Sequence, residues 1–249
     1  MLLVALATGC TGGSTGSEPT SDPGTIQGTV LVAAAASLTD AFAALAERFE
    51  TDHPGVDVEL SVGASSSLAL SIEEGSPFDV FASANEAVMA GLDDAELLDG
   101  SPVEFATNTL VVAVPAGTTT VTSLDDFRRD DLLLGACAVQ VPCGSYADEL
   151  FAAADITPAL DTRESDVRSL VTKLIEGELD AAIVYRTDVA AFPDALDSVA
   201  LPAGLTVDAR YPIAVLTSSP NPEGARAFVE FVTGEVARGE LEQAGFGSP

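Results

Sequence analysis

Residues 30–49 read VLVAAAASLTDAFAALAERF, Val30 to Phe49. Val30 to Ala35 is a short apolar run without alternation, the pattern of a parallel strand covered on both faces. Leu38, Phe42, Leu45 and Phe49 then recur at three- and four-residue spacing, one apolar face of a helix, with Glu47, Arg48 and Glu50 off that stripe. Strand, turn and helix follow one another, so Ser37 is expected at a helix N-terminus beyond the carboxyl end of a strand. Unpaired backbone N–H groups and the positive end of the helix dipole make such a place an anion site. The plainer alternative is that Ser37 only caps its helix.

Outward from this stretch the same unit repeats. Val56 to Val62 alternates as a second strand, and Gly63-Ala64-Ser65-Ser66-Ser67 opens a helix with Leu68 and Ile72 inward, ended by Gly75. Phe78 to Ala82 reads as a third strand and Val88 to Leu92 as helix. Thr109 to Val114 is a strong strand, followed by a loop and short helix over Val121 to Phe127. A further strand lies within Leu132 to Val139. Val141-Pro142-Cys143-Gly144-Ser145 turns into a helix over Tyr146 to Ala153. Ser165 or Asp166 starts another helix, with Val167, Leu170, Val171 and Leu174 inward. Asp180 to Tyr185 is a strand, Tyr211 to Leu216 another, and Gly224 to Phe231 begins a last helix pair.

Strands alternating with helices predict an α/β fold with parallel sheets. The 249 residues suit two units of about 100 residues each. Leu110–Val114 and Ile213–Leu216 are the expected crossovers between them.

The charge narrows the function classes. Asp and Glu number 39 against 10 Lys and Arg, a net charge of −29, and Lys173 is the only lysine. No basic cluster exists for nucleic acid, and an anionic membrane surface would repel the chain. An anionic ligand must therefore be held by local dipoles. A serine enzyme needs a base. The one histidine, His53, precedes a proline in a turn, and Gly63 to Ser67 lacks the second glycine of a nucleophile elbow. There is no GxGxxG or Walker A motif. A catalytic role and a resident cofactor are not expected.

The amino terminus and the cysteines speak to compartment. Met1 to Thr8 is apolar, Gly9-Cys10 follows, and a Gly/Ser/Thr/Pro-rich tether runs to Ile26. This resembles the end of a bacterial lipoprotein signal with Cys10 as the lipid anchor. Ala7 stands where leucine is usual, and a basic leading segment is missing. The alternative is an ordinary secretory signal. No later segment is apolar for long enough to span a bilayer. In an exported, oxidising compartment, a small disulfide loop between Cys137 and Cys143 is the expectation. Without clustered histidines the pair makes a poor metal site.

Four turns into helices carry small or hydroxyl residues: Ser37, Ser65, Cys143-Gly144 and Ser165-Asp166-Val167. Singly, each is helix capping. Together, beyond the carboxyl ends of strands, they would form a cage of N–H and O–H donors.

AAASLTDAF, GASSSLALSIEEGSPFDVFASA, NTLVVAVPAG, CAVQVPCGSYADE, ESDVRSLVTKLIEGELDAAIVYRTDV and YPIAV occur in this order. Between them they resemble, over residues 29 to about 247, the periplasmic molybdate-binding proteins of ABC transporters. The resemblance implies a type II periplasmic-binding-protein fold: two α/β lobes, two crossovers and a cleft that closes on the anion. Residues 28–108 with 212–249 would form lobe 1 and residues 109–211 lobe 2, after a signal over 1–10 and a tether over 11–27. It also implies five ligand positions: the hydroxyls of Ser37 and of Ser65 (or Ser66), the backbone N–H groups of Cys143 and Val167, and the hydroxyl of Tyr185. Many relatives carry alanine where Cys143 stands. The implied role is an exported, monomeric solute-binding protein. It would hold molybdate, so that molybdenum is cargo, take tungstate alike, and deliver to a permease. Binding of sulfate or phosphate is the alternative.

Overall fold

The computed structural model describes residues 26–249. Cys10, the signal and most of the tether lie outside the described residues. The chain runs β1 (Gly28–Ala35), α1 (Thr39–Asp52), β2 (Val56–Gly63), α2 (Ser65–Glu73), β3 (Val80–Ala82) and α3 (Glu86–Asp94). It continues through β4 (Val103–Pro115), β5 (Leu134–Cys137), α4 (Pro142–Ala153), β6 (Thr162–Glu164), α5 (Val167–Ile175), β7 (Ala181–Tyr185), α6 (Arg186–Ala190) and β8 (Leu196–Val199). It ends with β9 (Asp208–Val215), α7 (Pro222–Thr233) and α8 (Glu235–Gln243). Single 3-10 turns occupy Ala36–Leu38 and Leu124–Arg128. Among the described residues no helix is long and apolar enough to cross a membrane.

β1 shows why an unbroken apolar run marks a central strand. It pairs in parallel with β2 on one side and β3 on the other. Val30, Val32 and Ala34 join a cluster with Phe42, Leu45, Phe49 and Phe228, from α1 and α7. Ala33 points the other way, into a cluster with Leu68, Ile72, Met89 and Leu92 from α2 and α3. Both faces are covered, so alternation is lost. The α1 stripe packs edge-to-face through its aromatics: Phe42 and Phe49 stand 6.2 and 5.2 Å from Phe228, ring centre to ring centre.

The sheet order is β2-β1-β3-β9-β4-β7-β5-β6, with β8 also on β4. β1–β3 and β5–β7 form two parallel groups, as βα units require. Between them lie β9 and β4, and here the expectation of purely parallel sheets fails. β9 is antiparallel to β3 and to β4, and β4 is antiparallel to β7 and β8. The crossing strands carry the chain from one group to the other and back, so their direction follows from connectivity rather than from a βα repeat. β4 changes partner along its length: Val103 to Thr109 pair with β9, Leu110 to Ala113 with β7. The crossing therefore uses the whole of β4 and β9, well beyond Leu110–Val114 and Ile213–Leu216.

Several boundaries move for local reasons. The helix expected from Leu38 begins at Thr39, because Ala36–Leu38 winds more tightly as a 3-10 turn. The helix expected from Tyr146 begins at Pro142, since proline suits a first helical position. Cys143 thus sits inside the first turn. Asp166, rather than Ser165, caps α5, and its Oδ1 accepts from the Ser169 N–H at 2.9 Å.

Candidate oxyanion site

At the carboxyl ends of the parallel strands lies a cavity of about 20 Å³. Ser37 reaches it from the turn after β1, Ser65 from the turn after β2, Cys143 from the turn after β5, and Val167 from the turn after β6. Tyr185, the last residue of β7, completes the wall. Two come from the β1–β3 group and three from the β5–β7 group, so the cavity lies between the two. The five candidate residues thus line one space. Ser65 is buried on the cavity wall, whereas Ser66, the alternative, is half-buried and does not line it.

Three of these positions stand in the first turns of α2, α4 and α5, helices of 9, 12 and 9 residues. First-turn N–H groups have no intrahelical acceptor, and the helix dipoles add positive potential. Among the described residues no Lys, Arg or His lines the cavity. Asp166 is the one carboxylate there, and it accepts from the Ser169 N–H and from the hydroxyls of Ser169 and Ser165. Among the described residues no cluster of His, Cys, Asp and Glu could hold a metal ion.

The serines do not cap. Ser37 lies within the 3-10 turn, and neither that turn nor α1 has a side-chain cap. Its Oγ is instead 2.8 Å from the Tyr211 Oη. Ser65 is the first residue of α2, not its cap, and its Oγ accepts from the Ala84 N–H at 3.0 Å. Each oxygen is held from behind, which locks the side chain on the cavity wall.

Tyr185 is the outlier of the site. It is 1% exposed, and among the described residues its hydroxyl makes no hydrogen bond of ordinary geometry, the Tyr211 hydroxyl being its neighbour. Buried polar groups are nearly always paired, and an orphan costs about 1–3 kcal/mol. Burial also pushes this phenol well above its ordinary pKa, so it is a neutral donor. An unpaired donor on a residue that lines a cavity of helix N-termini suits an acceptor that arrives from outside.

Cys137 and Cys143 are joined by a disulfide, with their Cα atoms 5.6 Å apart. The bridge ties the end of β5 to the first turn of α4 and fixes where the Cys143 N–H points. Gly144 is required beside it, because a Cβ there would come within 1.9 Å of the Ala138 carbonyl oxygen. His53 is at the other end of α1 from Ser37 and packs at a tilt against Phe49, ring centres 4.5 Å apart. Fourteen helical residues separate the two ends by about 20 Å, so Ser37 does not have this imidazole as a base, and His53 does not line the cavity that Ser65 reaches.

Sequence reasoning assigned no role to Asn108, Tyr211, Thr187 or Asp188, which are all buried behind the cavity. Tyr211 stood in the YPIAV segment and Asn108 in NTLVVAVPAG, but no local pattern joins residues 103 apart.

Residues 30–247 match the family described as bacterial extracellular solute-binding protein. The molybdate-binding protein ModA of Mycobacterium tuberculosis (strain ATCC 25618 / H37Rv) is 37% identical over 222 residues, covering 89% of this chain and 85% of that protein. Among solved structures, the periplasmic molybdate-binding protein of Azotobacter vinelandii superposes with a TM-score of 0.78 at 20% identity, over 88% of this chain and 99% of that one. The sulfate-binding protein SubI from Mycobacterium tuberculosis H37Rv gives 0.77 at 20% identity, over 88% and 86%. At such identity these two superpositions speak to the fold alone, a periplasmic-binding-protein fold.

Proposed function

The chain belongs to the bacterial extracellular solute-binding protein family that includes the ModA molybdate-binding proteins, and from that membership we propose that it captures molybdate outside the cytoplasm for an ABC transporter. The observation that carries the oxyanion reading is Tyr185, whose buried hydroxyl is unpartnered among the described residues, on the wall of a cavity formed by helix N-termini and lined by no cationic side chain among those residues. The 37% identity to ModA supports molybdate within that class. The role is binding rather than catalysis, and molybdate is cargo, not a cofactor.

In this reading the hydroxyls of Ser37, Ser65 and Tyr185 and the amides of Cys143 and Val167 donate to the four oxygens. Charge-assisted hydrogen bonds of this kind are roughly twice as strong as neutral ones. Residues 28–108 with 212–249 and residues 109–211 act as two lobes that swing about β4 and β9, and the ligand stabilises the closed state. Tungstate, nearly isosteric with molybdate, binds alike. Sulfate is smaller and leaves some donors poorly paired, which is costly in a dry site. The protein acts as a monomer, hands its cargo to a membrane permease, and is held at the outer face of the membrane by lipid on Cys10. Calorimetric titration with molybdate, tungstate, sulfate and phosphate tests the reading. Tight binding of the first two is expected; a preference for sulfate or phosphate would overturn the choice of ligand, and no binding of any of the four would overturn the site.

A further inference from the structure

Ser37 lines the oxyanion cavity on one side and a second, larger space on the other. Its Oγ is 2.8 Å from Tyr211 Oη, both atoms buried, and either of the two hydroxyls has the chemistry to donate. The direction matters. If Ser37 gives its proton to Tyr211, it shows the cavity only lone pairs, which repel an oxyanion. If it accepts from Tyr211, its own proton is free for the ligand.

The residues behind Tyr211 decide the direction. Asn108 on β4 is 1% exposed. Its Oδ1 accepts from the Thr109 N–H at 3.0 Å, which identifies the oxygen end of the amide. The NH₂ end therefore faces Thr187 Oγ1 at 2.8 Å and Tyr211 Oη at 3.4 Å. An amide NH₂ only donates, so the Tyr211 oxygen is an acceptor on that side. Ser37 Oγ, at 2.8 Å, is the acceptor at hydrogen-bonding distance of the Tyr211 proton, whereas the neighbouring Tyr185 hydroxyl makes no hydrogen bond of ordinary geometry among the described residues. With Tyr211 fully buried, donation to Ser37 pairs the Tyr211 proton, and the proton left over is that of Ser37, which lines the cavity. Burial also holds the Tyr211 phenol above its ordinary pKa, so the proton is always present. Ser65 offers a built-in comparison: its Oγ accepts from a backbone N–H, that of Ala84, which cannot reverse.

We propose that Asn108 and Tyr211 form a one-way hydrogen-bond relay that commits the Ser37 hydroxyl proton to the cavity, which makes Tyr211 a positioning residue for the bound oxyanion. The proposal rests on the oxyanion reading of the cavity given above. It also places the relay on the two crossing strands, since Asn108 belongs to β4 and Tyr211 to β9. The donor set at Ser37 is thereby tied to the part of the fold about which the lobes move.

The test is a double-mutant cycle by molybdate titration on the full chain: wild type, Tyr211→Phe, Ser37→Ala and the double variant, with apo melting of each. Tyr211→Phe is expected to weaken molybdate about 5- to 10-fold, the scale of one net hydrogen bond. In the Ser37→Ala background the same change should alter affinity by less than about twofold, because the atom through which it acts is gone. Asn108→Asp, read at a pH where the carboxylate is ionised, keeps the side-chain shape but offers an acceptor, so Tyr211 turns away from Ser37. It should weaken molybdate by at least about tenfold. Equal losses from Tyr211→Phe in both backgrounds would make Tyr211 a structural residue and overturn the relay. So would unchanged affinity in Tyr211→Phe and Asn108→Asp while wild type binds. A wild type that fails to bind molybdate would instead remove the oxyanion reading itself, and the relay with it.

Discussion

Arg168 Nη2 lies 2.7 Å from Asp40 Oδ2, an ion pair that joins the first turn of α5 to the first turn of α1 across the two strand groups. The guanidinium also lies over the Phe192 ring, 5.3 Å from its centre. Arg168 follows Val167 in sequence, yet it does not line the oxyanion cavity. Its charge is spent on Asp40, so the anion is held by dipoles and hydroxyls. A partly exposed pair of this kind is worth at most about 1 kcal/mol, so Arg168→Ala should leave molybdate affinity within about fivefold. Titration of that variant checks it, and a hundredfold loss would show a direct ionic contact.

Replacing the serines separates binding from packing. Ser37→Ala and Ser65→Ala should each weaken molybdate about 10- to 150-fold, the worth of a charge-assisted hydrogen bond in a dry cleft. Both should also melt lower without ligand, because each leaves a buried polar group without its bond, the Tyr211 hydroxyl or the Ala84 N–H. Lower melting with unchanged affinity in both variants would return these serines to a purely structural role.

The disulfide is checked by intact mass after alkylation, with and without reductant. The two cysteines are six residues apart, so on the chain-entropy model the closure is worth only ~2 kcal/mol. Protein isolated without reductant should take up no alkylating agent at Cys137 and Cys143. Two alkylated thiols in that sample would refute the bridge.

Which parts of this structure were legible depended on how local the signal was. β1 and α1 could be read directly, because two-sided burial removes alternation and one-sided burial imposes a three-and-four spacing. The first half of β4, Val103 to Asn108, could not, because VEFATN mixes charged, aromatic and polar residues according to partners far away in the chain. α6 follows β7 with no turn residue between Tyr185 and Arg186, and so left no punctuation to find. The antiparallel run of β9 was hidden for another reason: a strand's composition carries no direction. At the site, small or hydroxyl residues at strand-to-helix turns flagged Ser37, Ser65, Cys143 and Val167. The residues that hold the serines from behind are joined to them only by the fold.

Asp188 should give the protein a distinct pH dependence. It is 2% exposed, and its Oδ2 accepts from the Tyr185 N–H at 3.0 Å. Burial pushes its carboxyl up to about 7; Asp40 and Asp166 add to the rise, while the Tyr185 N–H and Arg168 oppose it. Glu240 lines the same space. The folded state thus keeps a proton that the unfolded chain has lost. This contribution to stability is complete below the ordinary carboxyl pKa of 3.8 and is lost as the pH rises through about 7. Asp188→Asn retains an acceptor for the Tyr185 N–H and cannot ionise. Its melting temperature, relative to wild type, should rise between about pH 5 and about pH 8. Parallel melting curves over that range would show that Asp188 is not the titrating group.

Tyr185→Phe should move affinity and stability in opposite directions. Without ligand, the Tyr185 hydroxyl is buried and unpartnered among the described residues, so removing it relieves a desolvation cost and should raise apo stability by up to about 1 kcal/mol, near the lower bound for such a group. With ligand, the same hydroxyl donates to an anionic oxygen, and its loss should weaken molybdate about 10- to 150-fold. Ordinary core truncations lower stability, and ordinary ligand contacts leave it unchanged, so the paired signs are diagnostic. Apo melting and titration on one preparation supply both readings. A fall in melting temperature would mean that the hydroxyl already has a partner, and unchanged affinity would mean that no ligand oxygen reaches it. Either outcome would remove the observation on which the oxyanion reading rests.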